Sequence, residues 1–248
     1  MLPALALFAA SALAQSSPCF QLTFPPVGPS RSADRRAAIE DCSRLISADP
    51  KDPRPYFHRA DARWIGFDPA SGWNQKPHFD LRVVEEAAPV IFDYEEALKR
   101  SKGELALADP GVAWLRLGYL HAQNGDWTAA VRAWRRAAAD SGVAREARER
   151  LHFGQARLVS PDRLLASPPA RCEPLTFWDC AFVRGCSLVV EGSDHAFKGC
   201  SGKPRGLEPG VRPRTLDCSL LDEDFCEQTP RCRWRPSRMR APACVGAG

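Results

Sequence analysis

Ten cysteines are the residues of this chain whose type and spacing most directly imply chemistry. Eight of them lie in the last 77 residues and fall into two quartets. Cys172, Cys180, Cys186 and Cys200 are separated by 7, 5 and 13 residues, and Cys218, Cys226, Cys232 and Cys244 by 7, 5 and 11. Quartets of cysteine serve either a tetrahedral zinc ion or a pair of disulfides. Zinc modules usually open on two ligands two to four residues apart, and neither quartet does. The spacing therefore predicts disulfides and no metal, with three pairings open in each quartet. Modules this short cannot bury enough apolar surface alone, so cross-links are the expected remedy. Cys19 and Cys42 remain, and the even total suggests that they pair. Such a bond would tie an N-terminal segment to the first helix.

Little else in the chain has the spacing of a reaction centre. Gly192-Ser193-Asp194-His195 sets a hydroxyl, a carboxylate and an imidazole side by side, but adjacent side chains diverge and triads are assembled from distant segments. It reads as a surface turn. The five histidines are scattered, no glycine-rich phosphate loop is present, and neither catalytic residues nor a cofactor are expected. The net charge of +4 does not call for nucleic acid. Basic character gathers at the end, where Arg231, Arg233, Arg235, Arg238 and Arg240 surround Trp234. Arg233, Trp234, Arg235 and Arg238 could grip an anionic surface. The plainer reading is a solvated loop with Trp234 as the small core of its module.

The compartment follows from the other end. Residues 2–14, LPALALFAASALA, are apolar and close on Ala12-Leu13-Ala14, which fits a signal-peptidase site. The run is too short to span a bilayer, which takes about 20 apolar residues. No Lys or Arg precedes it, so either the signal is atypical or the true start lies upstream. Export, periplasmic or extracellular, would make the disulfides permissible. No transmembrane segment is expected.

Between these ends the chain reads as helices. Residues 15–32 carry four prolines and are expected to be extended. From Ser32 the pattern turns helical, and the stretch RRAAIEDCSRLISADP places Ala38, Ile39, Cys42, Leu45 and Ile46 on one stripe. Asp49-Pro50 ends that helix, and Pro53 and Pro55 open the next, PYFHRADARWIG. The clearest unit runs from Gly111 to about Ala144. Gly118 and Ala130 are small enough for two helices to approach, while Trp114 and Trp134 fill space between hairpins. Asn124-Gly125 supplies a left-handed stop, and Asp126 can cap the following helix.

Trp114, Leu117, Gly118, Gly125, Ala130, Trp134 and Ala137 resemble the tetratricopeptide-repeat signature at its own spacing, with His121 where a tyrosine is usual. The resemblance covers residues 33–158. Tyr94 and Ala97 of VIFDYEEALKR suit a second repeat helix, displaced by an insertion at residues 67–89. Tyr56 and Trp114 stand 58 residues apart, against about 34 for consecutive repeats. The fold expected is all-α, a short array of helical hairpins, followed by a linker at 159–171 and two cysteine modules at 172–200 and 218–244, joined by a linker at 201–217. Thr176/Asp179 and Ser219/Asp222 are candidate capping boxes.

In that family the first helices of successive hairpins line a groove that holds a partner peptide or helix. The resemblance implies Phe57, Asp61, Trp64, Leu115, Tyr119 and Gln123 as groove residues, suited to a hydrophobic segment of another protein. The carboxylate clamp of some family members is missing from these positions. The same side chains could instead complete a small core. Trp73, His78 and Phe79 on the insertion are a second candidate contact. The expected function is an exported, non-enzymatic protein-binding adaptor of unspecified oligomeric state. The alternative is an envelope or extracellular module whose basic tail binds glycan or lipid. The array, with its own apolar stock, is expected to survive reduction while the modules unfold.

Overall fold

The computed structural model describes residues 17–21, 31–64, 81–102, 107, 109–191, 196–209, 211, 216–236 and 242–247. Seven helices come first: α1 (Pro18–Gln21), α2 (Arg31–Ala48), α3 (Pro53–Trp64), α4 (Leu81–Arg100), α5 (Pro110–Gln123), α6 (Trp127–Ala137) and α7 (Ala144–Ala166). Each packs on its sequence neighbour. The C-terminal part holds α8 (Phe177–Phe182), strands β1 (Cys186–Glu191) and β2 (Ala196–Gly202), and a 3-10 turn (Cys218–Leu220). Helix α9 (Glu223–Glu227) and strands β3 (Cys232–Arg235) and β4 (Ala243–Gly246) complete it. The protein is thus predominantly helical, and the all-α expectation stops short of the modules, each of which carries a two-stranded antiparallel hairpin.

Local signals and helix ends agree across α5–α6. Gly125 adopts φ +77°, where a side chain would be strained, and Asp126 accepts from the Ala129 N–H at 2.9 Å as the N-cap of α6. A Cβ on Gly118 would lie 2.2 Å from Trp134 Nε1, so only glycine lets the indole lie flat on α5. Trp134 is fully buried, and its Nε1 donates to the Leu115 carbonyl at 3.2 Å. Gly154 plays the matching part on α7, where a Cβ would meet Val131 at 2.8 Å and Trp134 at 2.9 Å. Two glycines on flanking helices make room for one tryptophan.

Three expectations about boundaries change. Residues 18–21 form a helical turn rather than part of an extended segment, held by the Cys19–Cys42 disulfide and by Phe20 against the His58 ring at 5.1 Å. The insertion is shorter than 67–89 implies, because α4 begins at Leu81 and carries Pro89 within it. The linker predicted at 159–171 is, up to Ala166, the end of α7. Ser160 donates to the Ala156 carbonyl at 2.8 Å beside Pro161, and Val159, Ser160, Pro161, Asp162 and Leu164 are all buried. The reason is tertiary. These residues pack under the modules, and burial outweighs the local cost of the proline.

All ten cysteines are paired. Each quartet joins first to third and second to fourth: Cys172–Cys186 and Cys180–Cys200, then Cys218–Cys232 and Cys226–Cys244. Thr176 and Asp179 form the capping box of α8. Ser219/Asp222 does not form one. Asp222 stands four residues before Cys226, as Thr176 does before Cys180, and is itself the N-cap of α9.

The modules are not self-contained. Trp178 of module one and Leu220 of module two belong to the same buried cluster as Leu115, Tyr119, Trp127 and Trp134 of the array. Leu221 and Phe225 pack with Val159 of α7 in a second cluster. Array and modules share a core.

Candidate functional site

Helices α3 and α5 carry the side chains singled out for a groove, and polar bonds tie them to α4 and α7. Tyr94 of α4 donates to Asp61 Oδ1 at 2.7 Å, and Arg116 of α5 donates to the Tyr94 hydroxyl at 2.9 Å and to Asp61. The Arg116 guanidinium also lies over the Trp64 ring, 5.6 Å from its centroid. Trp64 stands 6.4 Å from Tyr119, and Tyr119 packs edge-on to Trp134 at 5.9 Å. The Tyr119 hydroxyl donates to Glu146 and accepts from Arg150 Nε at 2.8 Å, which brings α7 into the same face.

The electrostatics make these hydroxyls bridges rather than bases. Burial pushes the Tyr94 phenol well above its usual range, and the neighbouring Asp61 adds to the effect. Burial likewise raises Tyr119, aided by its hydrogen bond to Glu146. Both stay protonated across any ordinary pH and can donate. Behind the face, Asp93 is fully buried and accepts from Arg59 through Nε at 3.0 Å and Nη2 at 2.7 Å, with Arg63 as a third donor group. Arg59 Nη1 also reaches Ser43 Oγ at 3.0 Å, so one carboxylate organises α2, α3 and α4.

Asp61, Trp64, Leu115 and Tyr119 of the candidate groove therefore come together, but they are less open than a hydrophobic slot requires. Leu115 and Tyr119 are buried, while Phe57, Asp61, Trp64 and Gln123 are half-buried. Phe57 packs on Tyr94 at 5.9 Å. The core-completing role accounts for much of Phe57, Leu115 and Tyr119. Trp73, His78, Phe79 and Arg238, with the apolar run at 2–14 and the Ser193–His195 turn, lie outside the described residues. Arg233 and Arg235 are exposed on β3, whereas Trp234 packs half-buried against the cluster around Phe225 and Cys226.

In each module three sulfurs (Cys172, Cys186, Cys200; Cys218, Cys232, Cys244) lie within 4.8 Å of one another. All of them are committed to S–S bonds, so none is the thiolate a zinc ion would take. The five disulfides fit an oxidising compartment. No helix among the described residues is long and apolar enough to cross a membrane.

The docking surface between array and modules escaped sequence reasoning. Arg157 of α7 sits among the Trp127, Trp178 and Phe182 rings at 5.7, 5.1 and 4.1 Å. Trp178 Nε1 donates to the Phe153 carbonyl at 3.1 Å. Gln155 Nε2 and Arg135 Nη2 both donate to the Leu220 carbonyl, at 2.8 and 2.7 Å. Arg163 bridges the modules, bonding Asp179 in one and Gln228 in the other. The available signal was FWDCAF, whose aromatics exceed what a module of that size can bury in itself.

No family model matches the chain. No curated protein matches it either.

Proposed function

We propose that the chain is an exported, non-enzymatic adaptor of the tetratricopeptide-repeat kind that binds a segment of another protein along α3, α5 and α7. The observation that carries this reading is the set of contacts that link Asp61, Trp64, Arg116, Tyr119 and Glu146 across α3, α5 and α7. A face fixed by its own ion pairs loses little freedom on binding. The half-buried rims of Phe57, Trp64 and Gln123 offer apolar and amide contact to a partner helix or strand. Five disulfides suit the exported setting.

A photo-crosslinking side chain at Gln123 tests the reading in the intact protein, with Arg148 on the solvated side of α7 as the control position. Adducts with one discrete protein, formed at Gln123 and not at Arg148, are expected. Equal adducts at both, or none, contradict the groove.

A second reading rests on Arg233 and Arg235, exposed on one face of strand β3. In it the module hairpin binds a glycan, a lipid or another anionic surface. Reversing both charges (R233E with R235E) separates the two, since it abolishes anionic-surface binding and leaves the Gln123 adduct intact.

A further inference from the structure

Three of the five large apolar side chains that stand exposed among the described residues sit on one hairpin. They are Val189 (41%) and Val190 (42%) of β1 and Phe197 (37%) of β2. Val190 pairs across the ladder with Phe197, whose ring packs on Phe177 of α8 at 5.6 Å. The residues joining the strands, Gly192-Ser193-Asp194-His195, follow Glu191, so two carboxylates accompany that end of the hairpin. A bilayer is a poor occupant for such an end. The exposed surface is better matched sideways, along the edge of the sheet.

The two edges differ. Strand β2 carries a bulge at Lys198 and the glycines Gly199 and Gly202, devices that blunt an edge. Strand β1, with the sequence CSLVVE, has no proline, no basic residue and no extra residue in its ladder. Lys203 N–H donates to the Gly185 carbonyl at 3.1 Å, and the register pairs Cys186 with Gly202. Alternation along an antiparallel ladder then turns the main chain of Ser187 and Val189 toward β2 and that of Leu188 outward. Among the described residues no third strand pairs with it there.

We infer that β1 is a self-association edge whose occupant is β1 of a second copy of this chain, run antiparallel about a two-fold axis at Leu188. In that register the two Leu188 residues exchange N–H to carbonyl bonds. Ser187 faces Val189 of the other copy, and Gly185 faces Glu191. No like charges oppose one another. Each Glu191 arrives beside Arg184 of the other copy, an exposed cation that bonds the Arg205 carbonyl at 3.3 Å and forms no ion pair among the described residues. Leu188, Val190 and Phe197 of both copies then line one face of a four-stranded sheet.

Module two supplies the contrast. Trp234 holds the place of Leu188, two residues after the third cysteine of its quartet. The same two-fold pairing of β3 would set Arg233 against Arg235 of the other copy, twice, and Pro236 follows directly. Charge closes the edge of β3 and leaves that of β1 open. A six-residue edge makes a small contact, of the weak class, so association is expected at about micromolar concentrations and above. The inference is independent of the groove.

The test is sedimentation velocity of the oxidised full-length protein from about 5 to 500 µM, with residue-resolved amide exchange by NMR over the same range. The wild type is expected to move from monomer toward dimer, and the Leu188 amide to exchange about threefold more slowly, or slower still, at the upper end. A Ser187→Arg, Val189→Arg double variant copies the charge pattern of β3 and should stay monomeric throughout. Phe92→Arg, which removes an exposed apolar side chain on α4, should dimerise as the wild type does. A wild type that remains monomeric at every concentration overturns the inference. So does a dimer whose Leu188 exchange is unchanged, or one that the double arginine variant preserves. The Leu188 measurement is made on the wild type, so it decides the matter even where the double variant disturbs the hairpin.

Discussion

The helical array and the cysteine modules solve the same problem with different means. In α5–α7 the chain fills its interior with Trp134, Leu117, Leu120 and Val131, and two glycines bring the helices close enough to enclose the indole. The modules have short elements, α8 and α9 of six and five residues, and substitute two disulfides each for a core of their own. Leu175, Leu188 and Trp234 stay on the modules' own disulfides, but other large side chains turn to the array. Trp178, Leu220, Leu221 and Phe225 are spent against α6 and α7. The contrast teaches that a disulfide can hold a module's shape and free its apolar residues for docking. One face of α6 and α7 is thereby covered.

The comparison breaks first at the two tryptophans. Trp134→Ala removes the largest fully buried side chain among the described residues and should cost the upper part of about 3–5 kcal/mol in urea unfolding. Trp178→Ala lies in a module and leaves every disulfide in place. If the shared core is real, it costs nearly as much, about 3 kcal/mol, and loosens α7. A loss under about 0.5 kcal/mol would make the modules passengers on the array. A smaller effect sharpens the local half of the account. Asp126→Ala deletes the cap of α6 and should cost about 1 kcal/mol without touching the modules.

How much of this was legible depended on the range of the interaction. Gly118, Gly125, Asp126 and Trp134 signal a hairpin locally, and the structure places them as the spacing predicts. The Cys19–Cys42 bond followed from counting. Pairing within the quartets did not, because four cysteines at these spacings are compatible with three connectivities and only the fold selects one. The helical end of α7 was hidden by Pro161, a local stop signal that burial under module two overrides. The burial of Leu115 and Tyr119 depended on α7 lying across them through Glu146 and Arg150, which periodicity within α5 alone does not reveal.

The smallest expected effect is acid sensitivity confined to the array. His58 and His121 both have pKa values held below the usual imidazole value, chiefly by burial, against the opposing pull of Asp61 and Asp52 on the first and Asp126 and Glu95 on the second. A depressed folded-state pKa means the unfolded chain binds protons first. Stability is therefore full above about pH 6.5 and declines as the pH falls through that value. Melting temperature should begin to drop there, and a His58→Gln, His121→Gln double variant should flatten the slope. An unchanged slope in the double variant assigns the acid loss to other groups.

The shared core is tested most directly by unfolding the oxidised protein in urea with fluorine-labelled tryptophans as separate probes. Trp134 reports on the array, and Trp234 reports on module two, where it packs against Val159 of α7 through the Phe225 cluster. One cooperative unit requires both resonances to lose their folded signal at the same urea concentration. Two separated midpoints, with Trp234 retaining its folded signal after Trp134 has lost it or the reverse, would show two independent domains and contradict the account.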